Sequence, residues 1–218
     1  MRDDPRLDRV PRFDDKSRQY PIRTVAPARP RSYTWSLDAV LDQGREGACT
    51  GFATVHEALA RPCRVPGLST ADALAVYGRA KELDDFPPGT EGSSVLAAVT
   101  AGCERGWYAE FRWAFGLDDL LVGLGKGPAI LGVNWYDSAY TPVEEGGDPY
   151  VRLAGPIAGG HAILARGLDV RRERVLLHNS WGKGWGRKGT AWISYADLDR
   201  LLREDGEACI PVVRKGGK

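Results

Sequence analysis

Residues suited to acyl-transfer chemistry stand at three separate places in the sequence. Cys49 follows the small residues Gly47 and Ala48 and precedes a helical pattern. A thiol at a helix N-terminus faces unpaired backbone N–H groups and the positive end of the helix dipole, which favour the thiolate. Gln43 stands six residues earlier, where its amide and the Cys49 N–H can both donate to an oxyanion. A small buried helix residue is the alternative that this stretch alone leaves open.

The chain has three histidines, and their positions differ in how well they suit a base. His56 lies seven residues beyond Cys49, roughly 10.5 Å along a helix axis, which is too far for direct proton transfer. We expect it to be partly exposed or to cap the helix. His178 and Asn179 are neighbours on a predicted strand and therefore point to opposite faces. His161 opens an apolar strand after two glycines, so by elimination it is the base.

A catalytic imidazole needs a neighbour that holds it in one tautomer and one orientation. Asn179 lies in the stretch HNSWGKGWG, and we expect its strand to lie beside that of His161. Trp181 is two residues further along the same face, where it would shield an Asn–His hydrogen bond from water. A polar residue in a glycine-rich turn beside core tryptophans is the alternative for this stretch alone.

The bulk composition argues against several classes of function. Of the 218 residues, 43% are hydrophobic, which is enough for a sizeable core. Thirty basic and 29 acidic side chains give a net charge of +1, which offers no general field to nucleic acid or an anionic membrane. The first residues lack an apolar signal segment, and no run approaches the ~20 apolar residues of a membrane span. We therefore expect a protein of the cytoplasm, or of a virion if a phage encodes it. We also expect a monomer that needs no cofactor.

Hydrophobic periodicity places helices before strands along the chain. Helical spacing predicts helices over 48–60, 69–83 and 94–101. Runs of β-branched and aromatic residues predict strands over 129–135, 161–170, 174–181 and 190–195. This order predicts an α+β chain in two lobes.

The motifs DQGREGACTGFA, GGHAI and NSWGKGWG, in this order, resemble those of the papain-like (C1-type) cysteine peptidases. Gln43, Cys49, His161 and Asn179 fall on matching positions, as do six residues of the stretch 180–186. The resemblance covers about residues 35–200. It implies a papain-like two-lobe fold, with a helical lobe bearing the cysteine and a β-barrel-like lobe bearing the histidine and asparagine. The substrate peptide would lie in the cleft between them.

The resemblance also implies a mechanism for hydrolysing peptide bonds. The Cys49 thiolate attacks a peptide carbonyl, and His161 protonates the leaving amine before activating water to release the acyl-enzyme. Asn179 orients His161, while Gln43 and the Cys49 amide hold the oxyanion. No metal is implied, because the spacing of Cys49, His56 and Cys63 lacks the CxxC element common in zinc sites.

Residues that bind the substrate are implied less specifically. The prediction comprises Gly92, Ser93, Gly160, Ala162, Trp181 and Trp185. Gly92–Ser93 is a poor match to the glycine-rich stretch that binds the substrate backbone in the family. Ala162 should border the pocket for the residue just N-terminal to the P1 residue, and an uncharged floor there predicts a preference for bulky apolar side chains. Any charge would have to come from a distant loop such as Glu144–Glu145. Trp181 and Trp185 are expected to form an aromatic shelf on the other side of the scissile bond.

The sequence departs from the family pattern in several places. Glu46 replaces the cysteine that secreted members place three residues before the nucleophile, and Thr50 replaces the common tryptophan after it. Cys63, Cys103 and Cys209 are an odd remainder, which we expect to be reduced thiols, although one disulfide among them is an alternative.

Three segments follow from these patterns. Residues 1–32 carry five prolines and are predicted to form an extended arm. This arm either crosses the cleft or, as we expect, packs on the back of the body or hangs free. Residues 33–125 form the mainly helical lobe and residues 126–218 the mainly β lobe.

Two other functions use the same residues. A transamidase or isopeptidase keeps the acyl-enzyme but passes it to an amine or acts on particular proteins. A catalytically silent papain-like binding or virion module is the third hypothesis, and the intact set of four site residues argues against it.

Overall fold

The structure is a computed structural model that describes residues 4–26, 29–37, 39–87 and 89–213. Five α-helices lie within these ranges: α1 (Cys49–Leu59), α2 (Thr70–Leu83), α3 (Val95–Glu104), α4 (Leu117–Gly123) and α5 (Tyr195–Arg203). The strands there are β1 (Tyr33–Thr34), β2 (Glu110–Ala114), β3 (Ala129–Tyr136), β4 (Val143–Glu145), β5 (Asp148–Tyr150), β6 (Ile157–Asp169), β7 (Arg174–His178), β8 (Thr190–Ser194) and β9 (Glu207–Val212).

The three helices predicted in the first half begin and end close to the expected residues. Ser69 and Asp72 form a capping box at the start of α2. The Ser94 hydroxyl accepts the Ala97 N–H at the start of α3. Every residue of α1 from Cys49 to Ala58 is buried, so this helix is central rather than amphipathic.

The strands form one open sheet in the order β2-β9-β3-β6-β7-β8-β5-β4, with β1 also pairing with β6. All neighbours are antiparallel except β5 and β8. The sheet does not close on itself, so the expected β-barrel-like lobe is corrected to an open sheet. The order also brings β9, from the end of the described chain, next to β3.

Helix α1 packs against the middle of this sheet and thereby forms the cleft. Cys49 and Ala53 share a buried cluster with Ile130 of β3 and with Ala162 and Leu164 of β6. Because His161 precedes Ala162 on β6, the start of α1 lies beside that histidine. Among the described residues, no helix is long and apolar enough to cross a membrane.

Candidate active site

The thiol of Cys49 lies at the first residue of α1, as the sequence predicts. Its N-cap residue, Ala48, supplies no side chain to cap the helix, so backbone N–H groups of the first turn face the thiol end. Cys49 packs in one buried cluster with Ala162, so the thiol lies near the strand of His161. The side chain is almost completely buried.

His161 and Asn179 are joined by a short hydrogen bond. The distance from His161 Nε2 to Asn179 Oδ1 is 2.8 Å, and both side chains are fully buried. The same Oδ1 accepts the Ser180 backbone N–H at 2.8 Å, which identifies that atom as the amide oxygen. Because an oxygen can only accept, His161 carries its proton on Nε2, and Nδ1 is left to exchange a proton with a nucleophile.

Two aromatic rings cover this hydrogen bond. Trp181 lies 5.0 Å from the His161 ring and Trp135 lies 4.8 Å from it, measured between ring centroids. The cover by Trp181 agrees with the sequence prediction, whereas Trp135 of β3 was not anticipated. Together they exclude water, which strengthens the Asn–His hydrogen bond.

The amide of Gln43 is held in one orientation by a residue to which the sequence analysis assigned no role. The Ser180 hydroxyl donates to Gln43 Oε1 at 2.5 Å. The Gln43 amide nitrogen donates to the Glu46 carbonyl at 2.6 Å and to the Arg6 carbonyl at 3.3 Å. Ser180 thus aims the donor of Gln43 at a carbonyl lying in the cleft.

The other two histidines lie together, away from Asn179. Their rings meet edge to face with centroids 4.6 Å apart. His178 points away from Asn179, as predicted for neighbours along a strand. His56 is fully buried, and its Nε2 accepts the Leu41 N–H, so the prediction of a partly exposed or capping residue is wrong.

The N-terminal segment (residues 4–12) lies along the cleft. The Arg9 N–H donates to the Gly160 carbonyl at 3.1 Å, and the Val10 N–H donates to the Ser93 carbonyl at 3.0 Å. The Ser93 N–H donates to the Asp8 carbonyl at 3.2 Å. Our expectation that the arm packs on the back of the body or hangs free is therefore wrong for this part of it.

Two glycines allow the N-terminal segment to approach this closely. A Cβ atom at Gly92 would collide with the Asp8 carbonyl, and one at Gly160 would collide with the Arg9 carbonyl. Both glycines were predicted to touch the substrate, and both lie against an extended backbone. The walls at these points therefore recognise main chain rather than side chains.

The predicted aromatic shelf has a different composition. Arg6 places its guanidinium 4.3 Å from the centre of the Trp181 ring, and Tyr140 stacks on the same ring. Trp185 is 5% exposed and donates its Nε1–H to the Ala139 carbonyl in the core. The shelf consists of Trp181 and Tyr140, and the expectation that Trp185 belongs to it is not met.

Burial controls the ionisation of the thiol and the imidazole in this conformation. Desolvation raises the pKa of Cys49 to about 11, although the backbone of Ala162 and of Asp8 lowers it in part. Desolvation likewise lowers the pKa of His161 to about 4, opposed by its bond to Asn179. Both groups are therefore neutral at pH 7. The sequence prediction of a favoured thiolate is not met while the N-terminal segment covers the thiol, because desolvation outweighs the helix dipole.

The other cysteines are free thiols, as is Cys49, and all four lie in the described ranges. Burial raises the pKa of Cys63 to about 12 and that of Cys103 to about 11. The pKa of Cys209 is also raised by burial. Our expectation of reduced thiols, rather than one disulfide, agrees with the structure.

A buried carboxylate holds Ser93 in place. Asp84 accepts the Ser93 hydroxyl at 2.7 Å and the Ser94 hydroxyl at 2.6 Å, and it also accepts the Ser94 N–H at 2.9 Å. Arg12 of the N-terminal segment reaches the same carboxylate at 3.1 Å. Asp84 therefore couples the start of α3 to the edge of the cleft.

We expect Asp84→Ala to destabilise the protein by about 2–4 kcal/mol, since it leaves buried hydroxyl and N–H donors without a partner. The free energy of unfolding from urea titrations measures this loss. The exposed neighbour Asp85 provides the control, and Asp85→Ala should stay within about 0.5 kcal/mol of the unaltered chain. Equal losses in the two variants would contradict the role assigned to Asp84.

The pocket beside Ala162 carries a charge. Glu207 of β9 lies opposite Gly132 of β3, which in turn lies opposite Ala162 of β6. Residues directly opposite in antiparallel strands share one face, so the three form a row. The predicted uncharged floor is therefore wrong. The suggested source of charge is wrong too, because Glu144–Glu145 lies on β4 at the far edge of the sheet.

Sequence reasoning thus gave no role to three polar side chains of the site: Ser180, Asp84 and Glu207. For Ser180 a signal was present, because it stands inside the matched motif between Asn179 and Trp181. Glu207 gave a weaker signal, as an acid at the start of the apolar run EACIPV. Asp84 gave none, since it is one of two aspartates before a proline-rich turn.

No protein-family model matches this sequence, and no curated protein matches it. Solved structures match over nearly the whole chain. Xylellain, a cysteine protease from Xylella fastidiosa, is 18% identical, with 99% of this chain and 98% of that chain covered and a TM-score of 0.59. Digestive procathepsin L 3 of Tenebrio molitor is 17% identical, with coverage of 96% and 75% and a TM-score of 0.63. Procathepsin B S9 from Trypanosoma congolense is 16% identical, with coverage of 99% and 85% and a TM-score of 0.63. These likenesses confirm the α+β fold predicted from the order of helices and strands, and the papain-like fold that the three motifs imply.

Proposed function

We propose that this chain, which has the fold of papain-like cysteine proteases, is a peptidase that hydrolyses peptide bonds with Cys49 as its nucleophile. One observation carries the proposal. An extended peptide, the N-terminal segment, lies along the cleft with its backbone paired to Gly160 and Ser93. One of its carbonyls, that of Arg6, accepts the Gln43 amide N–H at 3.3 Å.

The proposed reaction uses the His161–Asn179 hydrogen bond and the Gln43 amide described above, and it assigns the thiol proton to His161 Nδ1, which has no hydrogen-bond partner among the described residues. His161 Nδ1 takes the thiol proton, and the Cys49 sulfur attacks the peptide carbonyl carbon. The carbonyl electrons move to oxygen, where the Gln43 amide and the Cys49 N–H stabilise the negative charge. The tetrahedral intermediate collapses as His161 gives the proton to the leaving amine. Water, deprotonated by His161, then attacks the thioester and releases the acid and the thiol.

The conformation described here is a covered form of this enzyme. With the N-terminal segment in the cleft, Cys49 and His161 are both buried and neutral. A substrate needs the same hydrogen-bonding groups of Gly160 and Ser93 that the segment occupies. Turnover therefore requires the segment to leave the cleft first.

We expect a peptide epoxide to label Cys49 faster than Cys63, Cys103 or Cys209 at neutral pH. Cys49 alone combines a helix N-terminus with a neighbouring imidazole once the cleft is open. Mass spectrometry of tryptic peptides assigns the labelled residue. Labelling of Cys63 or Cys103 at the same rate as Cys49 would refute the assignment of the nucleophile.

The acceptor of the acyl group is tested separately. Peptide substrates are incubated with and without an added primary amine, and the products are separated by mass. Free acid as the main product in the presence of amine supports a peptidase. Predominant amide formation would identify a transamidase instead, since water and amine compete for one acyl-enzyme.

A further inference from the structure

The N-terminal segment makes a deeply buried ion pair with the sheet. Arg9 donates to Glu207 Oε1 from Nε at 3.0 Å and from Nη2 at 2.8 Å. Its Nη2 also donates to the Asp205 carbonyl at 2.9 Å. Both side chains of the pair are 3% exposed or less. The pocket therefore presents two acceptors, one of them charged, to a single guanidinium.

Gly132 creates the space for this side chain. A Cβ atom there would lie 2.6 Å from Arg9 Nε, 2.7 Å from Glu207 Oε1 and 2.9 Å from a methyl group of Val95. Any larger residue at this position would fill the pocket and separate Arg9 from Glu207. The glycine thus leaves room for the Arg9 side chain to reach the carboxylate.

The carboxylate has further capacity to accept hydrogen bonds. Glu207 Oε1 takes both bonds from Arg9, while Oε2 has no hydrogen-bond partner among the described residues. A fork-shaped guanidinium can bind both oxygens of a carboxylate at once, which is its strongest arrangement. The pocket can therefore hold an arginine at least as well as it holds Arg9.

We infer that the Glu207 pocket selects an arginine side chain in the substrate, at the position bordered by Ala162. This inference rests on the proposed peptidase function and names its substrate class. An uncharged side chain there would remove the cation, so Glu207 would either stay buried as an unpaired anion or have to take up a proton. Lysine brings a charge but a single nitrogen, so it is a weaker occupant than arginine.

The ionisation of Glu207 agrees with this assignment. Burial raises the pKa of Glu207 to about 7, and the neighbouring Arg9 guanidinium opposes that rise. A substrate arginine that replaces Arg9 restores this opposing charge. An apolar side chain would not, and Glu207 would then take up a proton at neutral pH.

The first test compares three fluorogenic peptides that differ only at the selected position, with arginine, citrulline or leucine there. Citrulline has the shape of arginine without its charge. With the full chain, kcat/KM for the arginine peptide should exceed both others by about tenfold or more. In Glu207→Gln this ratio should fall to within about threefold.

The control for the first test is Glu110→Gln on β2, which removes a carboxylate paired with Arg112 at the edge of the sheet. It should keep the arginine preference of the unaltered chain. Equal rates for arginine and citrulline with the unaltered chain, or a preference for leucine, would overturn the inference even if every peptide is hydrolysed.

A second test needs no turnover and so separates the pocket from the proposed reaction. The ligand is a fluorophore-labelled synthetic peptide, DPRLDRVPR, which copies residues 4–12. Its binding is measured to the full chain carrying the two substitutions Cys49→Ala and Arg9→Glu. Fluorescence anisotropy should show at least about tenfold weaker binding when citrulline replaces the arginine that corresponds to Arg9. Equal affinities would overturn the inference, whereas failure of hydrolysis alone would overturn only the proposed function.

Discussion

At pH 7, a peptide epoxide is expected to label Cys49 about a hundredfold faster in the variant Arg9→Glu than in the unaltered chain. The substitution places a second carboxylate against Glu207 in a buried pocket, and disrupting such an ion pair costs about 3–5 kcal/mol. The N-terminal segment should then leave the cleft. Water regains access to Cys49 and His161, so the pKa of the thiol falls and that of the imidazole rises. The rate of reaction with a peptide epoxide measures the change.

Two further variants show whether the effect comes from this ion pair. The double variant Arg9→Glu with Glu207→Arg restores opposite charges and should return labelling toward the unaltered rate. Arg18→Glu alters an exposed arginine elsewhere in the arm and should have little effect. If Arg18→Glu accelerated labelling as much as Arg9→Glu, net charge rather than the pocket would be the cause.

The pH dependence of the labelling rate follows from the raised pKa of Cys49. With the segment in place, the pKa of Cys49 is raised to about 11, so the thiolate fraction grows about tenfold per pH unit between 7 and 10. The labelling rate of the unaltered chain should rise in parallel. The rate of Arg9→Glu should depend far less on pH over this range.

The second large effect is expected from substitutions of Cys49, His161 and Asn179. It is measured as the change in kcat/KM for peptide hydrolysis, with each substitution made in the Arg9→Glu chain. Cys49→Ser should abolish hydrolysis. His161→Ala removes the group that moves every proton and should lower the rate at least about a thousandfold. Asn179→Ala only releases the ring from its orientation and should cost about ten- to a hundredfold.

His178→Ala and His56→Ala are the matched controls. Both histidines are buried near the site, but their rings contact each other rather than Asn179. Each variant should keep most of the activity, provided that circular dichroism shows it to be folded. A loss in His178→Ala as great as that in His161→Ala would mean that the wrong histidine has been assigned as the base.

The central residues of the candidate site were predictable because they lie in short, recognisable sequence motifs. Gln43 and Cys49 are six residues apart on one connected segment, and Asn179 and Trp181 share one glycine-rich stretch. Such short spacings can be read from the sequence, whereas the hydrogen bond from Ser180 that orients Gln43 joins residues 137 positions apart. His161 was found by elimination among three histidines, which a chain richer in histidine would not have allowed.

Trp185 shows how a motif fails in its detail. It and Trp181 look equivalent in the sequence, but the chain turns at Gly182, where φ is +69°, and again at Gly186, where φ is +54°. Of these two glycines only Gly182 lies between the tryptophans, and its left-handed backbone turns the chain so that the two rings end nearly perpendicular, with centroids 6.5 Å apart. One ring reaches the cleft and the other enters the core.

The position of the N-terminal segment was not predictable for a different reason. Its contacts with Gly160 and Ser93 are made by main-chain N–H and C=O groups, which every non-proline residue carries. The carboxylate in the pocket beside Ala162 was not predictable either, because only the register of β9 against β3 brings Glu207 to Gly132. Such long-range pairing leaves no periodic trace in the sequence.

The distance along the chain between Arg9 and Glu207 bears on how the protein matures during its synthesis. The two residues are 198 positions apart, and a ribosome needs about 10–40 s to cover that length. Strand β9 completes the pocket beside Ala162 and supplies the partner of Arg9 in the same pairing with β3. In a newly made molecule, the pairing of β9 with β3 therefore completes the pocket and at the same time supplies the carboxylate that binds Arg9. In the peptidase that we propose, the anchor of the N-terminal segment and the complete pocket would thus form together.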